Sequence, residues 1–85
     1  MVEKILVGKV IHYYPKIGVA VIELHETLKK GDKIEIEGKS TKITQTVTSM
    51  QLNHVDIENA DAGQTIGLKV VDRVREGDSI YKIIE

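Results

Sequence analysis

Leu28-Lys29-Lys30-Gly31-Asp32-Lys33-Ile34-Glu35-Ile36-Glu37-Gly38 carries the grammar of the whole chain, because it returns near the end as Val74-Arg75-Glu76-Gly77-Asp78-Ser79-Ile80-Tyr81. Both copies read apolar, two charged residues, Gly-Asp, one polar residue, Ile. Glycine tolerates a positive φ, and an aspartate side chain bonds back to nearby backbone, so Gly31-Asp32 and Gly77-Asp78 each predict a tight turn delivering the chain into a strand. After the first turn Ile34 and Ile36 alternate with Glu35 and Glu37, the period-2 pattern of a strand with one buried and one wet face. On that pattern the wet face takes Glu35 and Glu37, and the core takes Ile34, Ile36 and Ile80, joined by Val21 and Ile57 from other segments.

The remaining segments follow the same logic. Ile5 to Tyr14 is a β-branched run with a bulge or close approach expected at Gly8. Pro15 to Gly18 is a turn, and Val19 to Leu24 an inner strand paired with the first. Lys39-Ser40 reads as a hairpin tip. Thr41 to Ser49, with four threonines, Met50 to Glu58 with a kink at Asn53-His54, Thr65 to Val71, and Asp78 to Ile84 are further strands. Asn59 to Gln64, with Gly63, is the clearest loop of the second half.

Eighty-five residues make one domain, residues 1–85, around one core. Twelve Ile, ten Val and five Leu, with no Trp or Phe, supply a core of aliphatics that favour strands. No stretch carries the three-and-four apolar spacing of a helix. The fold class expected is all-β, six or seven short strands in a small closed barrel or sandwich, with the barrel favoured because short strands in so short a chain leave few ways to hide their edges. With no Cys there is neither a disulfide framework nor a thiolate metal site. The short apolar stretch at Ile5-Leu6-Val7 is far below a membrane span or signal-peptide core, so a cytoplasmic, soluble chain is expected.

Chemistry is sparse. Gly38-Lys39-Ser40-Thr41 resembles the tail of a phosphate-binding loop, but Lys33 stands where the leading glycine belongs and a strand composition follows instead of a helix, so no nucleotide is expected. His12, His25 and His54 lie too far apart for a compact metal site. No nucleophile elbow or cysteine nucleophile is present, and the aspartates fall in turns. The reading is therefore non-catalytic, with no cofactor and no metal. What stands out is Lys29, Lys30, Lys39 and Lys42 around one strand and its turns, within a chain of net charge −1. Several lysines on one face can position a phosphate backbone.

Taken together, Val7-Gly8-Lys9-Val10, Gly18 to Leu24, the Leu28 to Gly38 corner, Thr46-Val47-Thr48-Ser49-Met50, Ala60 to Leu68 and Val74 to Ile80 resemble the second, β-barrel domain of translation GTPases such as elongation factor Tu. The chain is also similar to the C-terminal barrel of the collagenase-like peptidases, where His12-Tyr13-Tyr14-Pro15 matches a His-Tyr-Tyr-Pro step before an apolar strand. It departs from the translation factors after Met50, where Gln51-Leu52-Asn53-His54 replaces their Arg and acidic residues. The resemblance implies a six-stranded, closed Greek-key barrel used as a docking module. Two functions follow: a stand-alone, non-catalytic translation-factor-like module that holds RNA or a ribonucleoprotein, ribosome- or tRNA-related, through Lys29, Lys30, Lys39 and Lys42, or a protein-interaction or accessory subunit that docks on an enzyme such as a collagenase-like peptidase or a tRNA-modification protein.

Overall fold

A computed structural model describes residues 3–84 and contains ten strands and no helix. In chain order these are β1 (Glu3–Tyr14), β2 (Val19–Leu24), β3 (Leu28–Lys29), β4 (Lys33–Glu37), β5 (Lys42–Thr46), β6 (Met50–Leu52), β7 (Val55–Ile57), β8 (Asn59–Ala60), β9 (Thr65–Lys69) and β10 (Ser79–Ile84). Eight of them form one antiparallel sheet in the order β5-β4-β10-β1-β2-β9-β6-β7, while β3 and β8 pair separately. The long β1 lies at the centre and pairs on both sides. Its register against β10 slips between Leu6 and Gly8, the irregularity expected at that glycine. A Cβ on Gly8 would stand 2.8 Å from the Glu23 carbonyl oxygen and 2.9 Å from Ile22 Cγ2, so only glycine lets the strands approach this closely.

The closed six-stranded barrel is not what the ladders form: the terminal strands β5 and β7 are not bonded to each other. The Thr41 to Ser49 run stops pairing at Thr46 because the Val47 backbone is taken by another partner, the Gly31-Asp32 turn. What ties β5 to the far part of the sheet is a side chain. Gln45 donates from Nε2 to the Lys69 carbonyl at 2.9 Å and accepts from the Val71 N–H at 3.0 Å, a one-residue imitation of a ladder. The kink at Asn53-His54 is the two-residue loop of the β6–β7 hairpin, with φ of 53° and 65°, the positive pair that type I′ turns require. The expected Asn59 to Gln64 loop is shorter, since Asn59 and Ala60 pair with Lys29 and Leu28.

One core fills the inner face. Ile34, Ile36 and Ile80 are fully buried there with Val7, Val10, Ile22, Leu28, Met50, Ile66 and Leu68. Val21 and Ile57 are not core: Val21 opposes Gly67 on the outer face, and Ile57, at the sheet's end, only packs against the core's margin.

Glu35 also departs from expectation. It does point away from Ile34 and Ile36, yet it is only 5 % exposed, because Lys4 reaches across from β1, two strands away, and ion-pairs with it. Alternation tells which side a residue faces, not what covers that side. The hydrogen bond to Glu35, and the negative charge of Glu35 and its neighbours, hold the Lys4 ammonium above the ordinary lysine value against the opposing effect of burial. A folded-state pKa raised above the unfolded one stabilises fully below the unfolded value and is lost as pH rises through the folded value. Between about pH 9 and pH 12 the wild type should lose urea resistance more steeply than Lys4→Met, which lacks the titrating group. Parallel alkaline profiles would refute the pairing.

The repeated turn is the device that organises these strands, and it occurs three times. Asp32 and Asp78 each donate their N–H to the carbonyl three residues back, Lys29 at 3.0 Å and Arg75 at 3.1 Å, while a carboxylate oxygen accepts the N–H of that same residue at 2.9 Å. Gly31 and Gly77, at φ of 96° and 93°, occupy the position where a type II turn needs a positive φ. Asp61-Ala62-Gly63-Gln64 repeats it, with Gly63 at φ 88° and Gln64 Oε1 accepting the Asp61 N–H at 2.8 Å. Each turn also clasps one buried residue through both its backbone groups: Val47 by Gly31 and Asp32, Val10 by Gly77 and Asp78, Leu24 by Gly63 and Gln64. Each is preceded by a buried apolar residue, Leu28, Val74 or Ala60, and delivers a buried isoleucine, Ile34, Ile80 or Ile66. Local chemistry and core packing thus specify the same corner three times.

Candidate docking surfaces

The four lysines do not converge on one spot but fall into two pairs at opposite ends of a hairpin. Lys29 and Lys30 sit before β4, lining a shallow cavity with Glu58 and Asn59. Lys39 and Lys42 lie at the opposite end of the β4–β5 hairpin, where Glu37 pairs with Lys42. The five residues of β4 separate the pairs by roughly 13 Å at about 3.3 Å per step. Gly31, Gly63 and Gly77 lie in turns at positive φ, and Asp32 and Asp78 accept backbone N–H groups there.

Sequence reasoning missed Arg73 and Arg75. They come from the connection between β9 and β10 and meet Lys42 around a cleft of about 240 Å³ that is also lined by Ser40, Thr41, Ile43 and Asp72. The connection has no strand pattern, so its position against β5 cannot be read from periodicity. Its anchors are Gln45, which holds it at Lys69 and Val71, and the buried side chains of Val70 and Val74. One signal was available: Gln45 falls between Ile43 and Val47 on the inward face, and a buried amide there demands backbone partners.

A second concavity, of about 300 Å³, lies on the outer face of β2, β9 and β6. Val21 opposes Gly67, and Gly67 opposes Gln51, so the missing side chain at Gly67 leaves a depression walled by Val19 and Val21. A Cβ at Gly67 would stand 3.2 Å from Val19 Cγ1. Tyr14 and the 58 % exposed Ile17 rim one end, and Asn53 and His54 rim the other. Lys69 Nζ donates to the Ile17 carbonyl at 2.7 Å and holds the Pro15–Gly18 turn in place. His12 lies edge-on to Tyr14, ring centroids 4.4 Å apart, so the His-Tyr-Tyr-Pro step builds the groove's surroundings. Isolated exposed apolar residues are ordinary; several contiguous around a hollow mark a contact surface.

Among the described residues no three His, Asp or Glu side chains converge as metal ligands, and no helix is long and apolar enough to cross a membrane.

No family model matches the chain. It is 47 % identical over 83 residues to an uncharacterised protease of Methanocaldococcus jannaschii, covering 96 % of this chain and 20 % of that protein. It is 38 % identical over 82 residues to a collagenase of Porphyromonas gingivalis, again covering 20 % of the relative. The chain thus spans about a fifth of the curated relatives it matches. Among solved structures it superposes on the C-terminal domain of a Geobacillus thermoleovorans protein assigned to the U32 peptidases, with a TM-score of 0.85 at 21 % identity, covering 91 % of this chain and 90 % of that one. These relatives correct one expectation: the chain resembles segments of a protease and collagenases, so the reading as a translation-elongation-factor-like, RNA-binding module is overturned.

Proposed function

We propose that the chain acts as a non-catalytic accessory domain of a U32-type peptidase, a barrel-like module that docks on the remainder of such an enzyme through the outer-face groove. The observation that carries this reading is the lopsided coverage: 96 % of the chain matches, but only 20 % of the protease is accounted for. The occupant of the groove is then polypeptide from the other four-fifths. An apolar hollow flanked by a tyrosine and an isoleucine suits it, because interface cores are enriched in aromatic and aliphatic anchors that exclude water.

The test uses the M. jannaschii relative with its matching segment deleted, mixed with this chain and followed by calorimetry. A saturable one-to-one complex is expected, weakened at least about tenfold, or roughly 1.4 kcal/mol, by Ile17→Glu or Val21→Lys. Both positions lie outside the core, so circular dichroism should show the fold intact. Absence of binding, or equal binding by the variants, would refute this groove as the docking face.

A further inference from the structure

We propose that the cleft between the β4–β5 turn and the connection from Val70 to Arg75 binds a carboxylate-bearing polypeptide segment. Its lining holds three cations, Lys42, Arg73 and Arg75, and one carboxylate, Asp72, in a chain whose overall net charge is −1, so positive charge is concentrated here. None of the three cations has a carboxylate within ion-pair range among the described residues. Asp72 is turned to its own chain, accepting the Arg73 N–H at 2.7 Å.

The scaffold beneath the arginines is fixed. Gln45 bonds the connection at Lys69 and Val71, Val70 and Val74 are buried, and the Arg75 N–H is held by Asp78 at 2.9 Å. A ligand therefore has only the side chains to order, not the backbone. Arginine presents donors in a planar fork that matches a carboxylate's two oxygens. Ser40 and Thr41 add hydroxyls, and Ile43 adds an apolar patch for the ligand's aliphatic stem. At about 240 Å³ the cleft admits one or two acidic side chains. A nucleic-acid backbone would need a continuous basic track, and Lys29 and Lys30 stand at the far end of the hairpin.

The site is separate from the apolar groove, so it stands or falls independently of the docking reading. Amide resonances of the ¹⁵N-labelled chain should be followed while a blocked hexaglutamate peptide is added at low ionic strength. Saturable shifts are expected at residues 40–43 and 72–75, and hexalysine should produce none. Arg73→Glu with Arg75→Glu, which replaces two attractions by two repulsions, should weaken binding at least about tenfold. Arg73→Gln with Arg75→Gln should weaken it in the same direction, and Lys29→Glu with Lys30→Glu should leave it unchanged. Because these side chains are exposed, melting temperatures should match the wild type. Shifts centred on Lys29 and Lys30, no saturation, or retention of binding by either arginine double variant would overturn the proposal. So would a uridine RNA hexamer, or inorganic phosphate alone, producing the same shifts at equal or lower concentration.

Discussion

Ile36→Ala is expected to destabilise the domain by about 2–5 kcal/mol, measured as a drop in the urea midpoint at constant slope. Ile36 is fully buried and lies between Ile80 on β10 and Ile43 on β5, so truncation leaves a void lined by side chains from three strands. Neighbouring strands hydrogen-bonded into ladders cannot collapse readily into that void, which places the cost within the range for large-to-small changes rather than below it. A domain this small is stable by only about 5–15 kcal/mol, so a large share of its stability is at issue. Glu37→Ala, one residue on and facing solvent, should stay within about 0.5 kcal/mol. A loss under about 0.5 kcal/mol at Ile36 with a larger one at Glu37 would mean the strand is turned over, since a one-residue slip exchanges the faces.

Ile36 and Glu37 belong to what the sequence makes legible: strand faces, the Gly8 irregularity, and the turns at Gly31-Asp32 and Gly77-Asp78. Gly63 marks the third turn too, but its kinship with the other two is hidden because Gln64 stands where they have Asp. Its side chain is one methylene longer and reaches the same N–H, and the buried residue before the turn is a small Ala60. The burial of Glu35 and the convergence of Arg73 and Arg75 with Lys42 were hidden for another reason. Each depends on a side chain distant in sequence, Lys4 in one case and Gln45 in the other, and periodicity reports only which face a residue occupies. The lysines were visible as a sequence cluster, but their separation to opposite hairpin ends is a property of strand length and register.

The three turns also yield a graded prediction, because they share bonds but differ in burial. Asp78 is 5 % exposed, whereas the Asp32 side chain is 25 % exposed and lies 3.5 Å from Lys82. Asp78→Ala leaves the Arg75 N–H without its acceptor in a place water reaches poorly, and should cost about 1–3 kcal/mol. Asp32→Ala should cost less than about 1 kcal/mol, since water can replace the lost oxygen. Asp78→Asn keeps an acceptor, as Gln64 does in the third turn, and should be milder than Asp78→Ala. Gly38 approaches the same carboxylate from the other side: a Cβ there would stand 1.9 Å from Asp78 Oδ1. Gly38→Ala must therefore drive Asp78 out of its turn, breaking the bond that Asp78→Ala removes by truncation. The two substitutions share one mechanism and should not add. In the Asp78→Ala background, Gly38→Ala should cost at least about 1 kcal/mol less than in the wild type, within the range found for residues in direct contact. Urea unfolding of the four proteins of this cycle measures the coupling, and strict additivity would show that Gly38 is needed for some reason other than room for the Asp78 carboxylate.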